Sequence, residues 1–87
     1  MNVMMIERRH KLIHPDLGPM VAPIRAISPS EDPEDMRIAS ELALESLTAG
    51  RDVPGEWVSD PVALYEIDVN ESVVIELKTM IAERIGR

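Results

Sequence analysis

The side chains best suited to chemistry in this sequence are two histidines near its start. His10 and His14 are its only histidines, and the carboxylates of Glu7 and Asp16 flank them. If this segment were helical, Glu7, His10 and His14 would share one face. Two imidazoles and a carboxylate are a ligand set for Zn²⁺ that leaves a position open for water. The spacing therefore raises the hypothesis of a metal-dependent activity.

Two neighbouring residues argue against that metal hypothesis. The H-E-x-x-H motif of metalloproteases places a glutamate directly after the first histidine, whereas this sequence has the cation Lys11 there. Pro15 follows the second histidine and disfavours helical geometry at that position. We therefore predict no metal and no other cofactor. A metal-dependent activity at His10 and His14 remains an alternative.

Other catalytic patterns are absent from the sequence. None of the serines lies in a G-x-S-x-G context, and the four glycines are isolated, so no glycine-rich phosphate loop exists. The chain has no cysteine, which excludes thiol chemistry, disulfides and cysteine-ligated zinc. Carboxylates are abundant, but a general acid needs a shaped, buried pocket that so small a domain rarely encloses. We predict that the protein is not an enzyme.

The charge is strongly negative and unevenly distributed. Residues 1–30 carry a net charge of +2 and residues 31–87 a net charge of −9, which together give −7. A protein with this much negative charge repels phosphate groups over most of its surface. The basic cluster Arg8, Arg9 and Lys11 is too small to offset this. Direct binding of nucleic acid is disfavoured, and a partner with a basic surface is favoured.

The acidic residues most suited to binding such a partner lie in and before the first predicted helix. With the single tryptophan, the candidate contact residues are Asp32, Glu34, Asp35, Glu41, Glu45 and Trp57. Asp52, Glu56 and Asp60 extend the acidic character into the following connection. A surface of one charge sign suits a complementary surface on a partner. The alternative is a solvated helix face that serves only solubility.

Trp57 has two interpretations. It lies in a connection that proline and glycine bound, and exposed aromatic residues often anchor interfaces. The competing interpretation, slightly favoured, is that its ring folds back and covers a small core.

The elements that must position these residues begin with two helices. Asp32 is a good N-cap, Pro33 suits the first helical position, and apolar residues then recur at three- and four-residue spacing, which predicts a helix over 33–49. Asn70 is the predicted N-cap of a second helix that ends at Gly86. Ser30 is a competing cap for the first helix.

The remaining segments are less regular. Residues 2–14 fit either a strand or a helix, and we favour a hairpin of residues 3–13 with 20–27, in which Pro23 requires a sheet edge. Residues 50–61 are predicted to be a connection without regular structure. Alternation favours a strand over 63–69, with a short helix as the alternative.

These patterns predict one small α+β domain over residues 1–87, with two amphipathic helices packed on a small antiparallel sheet. The alternative is a mostly α fold with an extended N-terminal segment. The chain has no Phe, one Trp and six Met, so its core must be loosely packed and aliphatic, which favours a homodimer or a fold completed by a partner.

The composition also bears on location and role. No apolar run is long enough to span a membrane, and the lack of cysteine favours the cytoplasm. The leading function is a non-enzymatic protein-interaction module, an acidic inhibitor or regulator that binds a basic surface. Small phage or mobile-element proteins of this kind are an analogy from size and charge only. The alternative class is a structural, self-assembling subunit.

Overall fold

The computed structural model describes residues 1–58 and 61–86. Four strands and two helices occur in this part of the chain: β1 (Asn2–His14), β2 (Gly18–Ser28), α1 (Pro33–Leu47), β3 (Gly55–Trp57), β4 (Ala63–Asp68) and α2 (Glu71–Ile85). The strands form one antiparallel sheet. The α+β class is thereby confirmed, and the mostly α alternative is wrong.

The long strand β1 lies at the centre of the sheet. On one side it pairs with β2 along nearly its whole length, from Met4 opposite Ser28 to His14 opposite Gly18. On the other side its first half pairs with β4 and its second half with β3. The edges of the sheet are therefore β2 on one side, and β3 with β4 on the other.

The predicted hairpin of residues 3–13 with 20–27 is confirmed, and both strands are slightly longer than expected. The turn between them is closed by His14, whose Nδ1 accepts hydrogen bonds from the amides of Asp16 and Leu17 at 3.1 and 3.2 Å. A helix over residues 2–14 is wrong, because alternate side chains of this segment are buried as a strand requires. β2 is an edge strand, as Pro23 required.

The core lies between the sheet and α1. The even-numbered residues of β1 and β2 point toward α1 and form two apolar clusters, one around Ile6 and Ala26 and the other around Leu12 and Ala22. Ala39 and Ala43 of α1 pack against them. Small side chains on both layers let the helix approach the sheet closely, which compensates for the lack of aromatic residues.

α1 begins as the sequence predicted and ends earlier. The Asp32 side chain accepts hydrogen bonds from the amides of Glu34 and Asp35 at 2.8 and 3.3 Å, so it is the N-cap. Ser30 is not the cap; its hydroxyl donates to Asp35 at 2.7 Å. The helix ends at Leu47 instead of residue 49, because Ala49 adopts a positive φ of 55°.

The second helix also matches its prediction in position. Asn70 occupies the N-cap position without a side-chain hydrogen bond, and Gly86 ends the helix in the left-handed conformation. Val74 and Ile81 are its buried residues. Leu77, Met80 and Ile81 share a cavity of about 290 Å³ with α1 and with residues 25–27 of β2, so α2 lies beside that edge of the sheet.

The prediction that residues 50–61 lack regular structure is wrong. β3 pairs with β1 from His10 opposite Trp57 to Leu12 opposite Gly55. Gly55 makes this approach possible, because a Cβ there would lie 2.2 Å from the carbonyl oxygen of Lys11. The strand predicted at 63–69 is confirmed as Ala63–Asp68, and the helical alternative for it is wrong.

Candidate functional site

The acidic candidate residues come together along α1 and its cap. Asp32 and Glu34 are exposed, while Asp35, Glu41 and Glu45 are partly exposed. One face of a helix places such residues three and four positions apart next to each other. We call the surface formed by Asp32, Glu34, Asp35, Glu41 and Glu45 the acidic surface. Asp60, which was expected to extend it, lies outside the described residues.

Two arginines partly neutralise this acidic surface. Arg37 forms ion pairs with Glu34 and with Glu41, the latter at 2.9 Å, and its hydrogen bond to Glu34 holds the pKa of that carboxyl below its ordinary value. Arg84 of α2 donates to Glu45 at 2.7 Å and so joins the two helices. The Arg37 pairs have the helical spacings i,i+3 and i,i+4, so sequence patterning was sufficient to predict them.

The acidic surface remains strongly negative after these pairings. Among the described residues, its five carboxylates and the neighbouring Glu31 have ion pairs only with Arg37 and Arg84, which leaves four uncompensated negative charges there. Two of the carboxylates also stabilise the fold, because Asp32 caps α1 and Asp35 accepts a hydrogen bond from the Ser30 hydroxyl. Glu34, Glu41 and Glu45 are the carboxylates best placed to meet a partner.

Trp57 is held within the fold rather than projecting from a loop. Its ring lies beneath the guanidinium of Arg8 at 4.3 Å and meets the ring of His10 edge-on at 4.7 Å. The side chain is half-buried and packs against the cluster around Leu12. This arrangement accords with a ring that covers the core. The Arg8 contact was missed, because β3 was not predicted.

The two histidines do not form a metal site. On a strand, His10 and His14 are four residues apart, which separates them by about 13 Å. Glu7 points to the opposite face of the strand from both. Within residues 1–58 and 61–86, no group of three or more His, Asp or Glu side chains is suited to hold a metal ion. The expected helical geometry of Glu7, His10 and His14 is therefore wrong.

His10 is instead a buried side chain at the edge of a small cavity. It is 4% exposed, and within the described part of the chain its Nδ1 has no hydrogen-bond partner. Burial lowers its pKa, the nearby Arg8 lowers it further, and Glu56 acts in the opposite direction. The cavity, about 280 Å³, is also lined by Glu45 and Thr48. A neutral imidazole so placed offers one ring nitrogen to a hydrogen-bonding group.

The opposite side of the sheet carries exposed cations. Arg9, Lys11 and Arg25 are on the odd-numbered face of β1 and β2, which points away from α1, and all three are exposed. Arg25 pairs with the half-buried Glu7 at 3.3 Å. Glu56 lies opposite Lys11 on the same face, so the charged residues described there, Arg9, Lys11 and Arg25 against Glu7 and Glu56, leave a net charge of +1. The α1 side of the molecule is strongly negative, and the far side of the sheet is close to neutral.

Comparison with protein-family models, with curated protein sequences and with solved structures finds no match to this chain. Neither of the two helices described, α1 and α2, has the length and apolar content needed to cross a bilayer.

Proposed function

We propose that this protein is a non-enzymatic interaction module, an inhibitor or regulator that binds a basic surface on a partner protein through its acidic surface. The observation that carries the proposal is the separation of charge across the sheet. Among the described residues, four uncompensated negative charges lie around α1, whereas the far face of the sheet, with Arg9, Lys11 and Arg25 against Glu7 and Glu56, carries a net charge of +1. Such an uneven charge distribution orients the molecule as it approaches a charged partner.

The construction of α1 supports this proposal. Its carboxylates lie on a helix that is capped by Asp32 and that packs on the sheet through Ala39 and Ala43. A rigid element presents charges at fixed spacing, which reduces the ordering that association costs. Arg37 and Arg84 hold the carboxylates of Glu34, Glu41 and Glu45 in defined positions. A partner's cations must match those positions or replace the two arginines.

The proposal predicts a definite response to salt. Complementary surface charges accelerate association, and salt screens them over a Debye length of about 8 Å at physiological ionic strength. Binding should therefore weaken as salt is raised. Trp57 is the remaining candidate contact residue. Because Arg8 and His10 occupy its ring, we assign it a contact only through its exposed portion.

The test compares two charge-reversal variants of equal net charge. Glu34→Lys, Glu41→Lys and Glu45→Lys together reverse the acidic surface. The matched control places the same change on the exposed acids of α2, as Glu71→Lys, Glu76→Lys and Glu83→Lys. Both proteins are first checked for native secondary structure by circular dichroism. Immobilised wild type and variants are then used to capture proteins from the host lysate at low and high salt.

The proposal expects one discrete protein to be retained by the wild type and by the control, lost by the α1 variant, and released by high salt. Equal retention by all three proteins would refute a role for the acidic surface. Equal loss from both variants would show a response to net charge alone and would also count against it.

A further inference from the structure

The two long edges of the sheet differ in their capacity to accept another strand. The backbones of Met1 and Val69 form two hydrogen bonds with each other, so this pair is a hydrogen-bonded pair of the ladder. Because such pairs alternate along an antiparallel strand, the backbone N–H and C=O groups of odd-numbered residues of β1 point toward β4, and those of even-numbered residues point toward β2. Odd-numbered residues of β2 consequently direct their amides outward. Pro19 and Pro23 occupy two of those positions and supply no donor. Prolines on an edge are a known protection against unwanted strand pairing.

The β4 edge has no such protection. By the same alternation, Leu64, Glu66 and Asp68 direct both their N–H and C=O groups away from β1. The strand Ala63–Asp68 contains no proline. Its outward backbone groups are therefore a complete row of donors and acceptors for a further antiparallel strand.

The side chains along this edge are unusually apolar for a solvated strand. Val62, Leu64 and Tyr65 expose 56%, 48% and 43% of their surface. Leu64 lines a recess of about 170 Å³ between the sheet and α1, together with Ile6, Met36, Arg8 and Arg37. Tyr65 lies on the other face of the sheet, where its hydroxyl reaches Glu7 at 3.4 Å. Both faces of the edge thus offer apolar area beside backbone groups that no other described strand pairs.

We propose that the β4 edge pairs with β4 of a second copy of this chain, which joins the two sheets into one about a two-fold axis. The strand Ala63–Asp68 can pair with a second copy of itself so that no two like charges are directly opposed. With Tyr65 opposite Tyr65 of the partner copy, Leu64 faces the partner copy's Glu66, and the pairing runs over the whole strand. A shift of two residues that placed Glu66 opposite its own copy would oppose like charges, which is destabilising.

The charges at the edge fit this register. Directly opposed side chains lie about 5 Å apart at Cβ, so Glu66 of each copy approaches the other copy's Leu64 recess, which Arg8 and Arg37 line. The Nε atom of Arg8 is buried there without a hydrogen-bond partner in the described residues. A carboxylate is thus brought toward Arg8, twice in the dimer, whereas Arg37 already pairs with two glutamates of α1. An isologous contact of this kind closes on itself and does not propagate into a fibre.

The first test measures molar mass and blocks the edge without touching the rest of the ladder. Sedimentation velocity is recorded from ~1 µM to ~1 mM, a range that covers weak association. Glu66→Pro removes a backbone N–H that points away from β1 and leaves the hydrogen bonds between β4 and β1 in place. Val21→Pro is the control, because it removes an outward-pointing N–H from the β2 edge instead. We expect the wild type and Val21→Pro to approach twice the 9.7 kDa chain mass, and Glu66→Pro to stay at the chain mass.

The second test locates the contact by disulfide trapping, which the absence of native cysteine makes unambiguous. Tyr65→Cys places two thiols opposite each other at a non-bonded cross-strand position, close enough for a disulfide. Val21→Cys, with 51% of the native side chain exposed, is the matched control. Under mild oxidation we expect covalent dimer from the former at least tenfold faster than from the latter. Equal rates would overturn the β4 contact.

Further outcomes overturn the proposal as well. A wild type that is monomeric throughout the concentration range would show that no second copy binds. The β4 edge would then be left to pair with a strand of another protein. A wild-type dimer that Glu66→Pro leaves intact shows that another surface joins the copies. The Glu66→Pro variant also separates this contact from the acidic surface, because it leaves the carboxylates of Glu34, Glu41 and Glu45 in place.

Discussion

Gly55 is the residue whose substitution should most directly separate β3 from the sheet. A Cβ at this position would lie 2.2 Å from the carbonyl oxygen of Lys11 and 2.6 Å from Cε1 of His10. The first of these atoms belongs to the backbone of the central strand, which cannot move without disturbing its pairing with β2. Gly55→Ala should therefore displace β3, and with it Trp57, away from β1.

The cost follows from what β3 covers. Displacement gives up a three-residue ladder and the half-buried Trp57 ring, together with its contacts to Arg8 and His10. Partial burial of one aromatic side chain and a few backbone hydrogen bonds contribute about 1–3 kcal/mol. For a chain of this size, such a loss corresponds to a fall in Tm of roughly 5–20 °C.

The assay combines thermal denaturation with tryptophan fluorescence, since Trp57 is the only tryptophan. Gly55→Ala should lower Tm and shift the emission to the red as the indole becomes hydrated. Gly50→Ala is the control: no atom lies within 4 Å of the new Cβ, but the φ of +74° is unfavourable to alanine. It should lower Tm while leaving the emission unchanged. Native Tm and emission in Gly55→Ala would refute the reasoning.

Two further predictions concern the cap of α1 and the buried histidine. Asp32→Ala removes the side chain that accepts hydrogen bonds from two first-turn amides, and it should reduce the free energy of unfolding by about 1 kcal/mol in urea titrations. Asn70→Ala is the control, because the Asn70 side chain makes no cap hydrogen bond, and it should change the free energy of unfolding far less. Equal losses in the two variants would contradict this prediction. Burial and the charge of Arg8 lower the pKa of His10, so the unfolded chain takes up a proton first, and the free energy of unfolding should fall as the pH drops below about 6.5. Urea titrations at several pH values should give a flatter dependence for His10→Gln, and an unchanged slope would exclude His10 as the cause.

Much of the fold could be predicted from the sequence because caps, turns and apolar spacing favoured the same elements that tertiary packing stabilises. The cap Asp32 with Pro33 located α1, and the turn before Gly18 located the hairpin. β3 was not predicted because only three residues form it, and the reason for its pairing is a close approach at Gly55 that sequence patterning does not reveal. Short strands are determined by what lies opposite them, not by their own residues.

The members of the acidic surface and the Arg37 ion pairs were predictable from the sequence, but the pairing of Glu45 was not. Helical spacing placed Glu34 and Glu41 on one face, and the Arg37 pairs followed from the same spacing. The ion pair of Glu45 with Arg84 joins residues 39 positions apart and depends on how α2 lies against α1. The histidine hypothesis failed because it required a helix where the chain forms a strand, which moved Glu7 to the opposite face.

The central position of β1 sets the order in which the chain can fold as it is synthesised. Its partner β2 follows after a short turn, so the hairpin can form early. The other side of the first half of β1 stays unpaired until β4 has been synthesised, because Asn2 pairs with Asp68 of that strand. Closing so long a loop is slow, and until residue 68 has been made the apolar first half of β1 presents an open edge. During that interval the nascent chain depends on its own charge, or on chaperones, to avoid association with other chains.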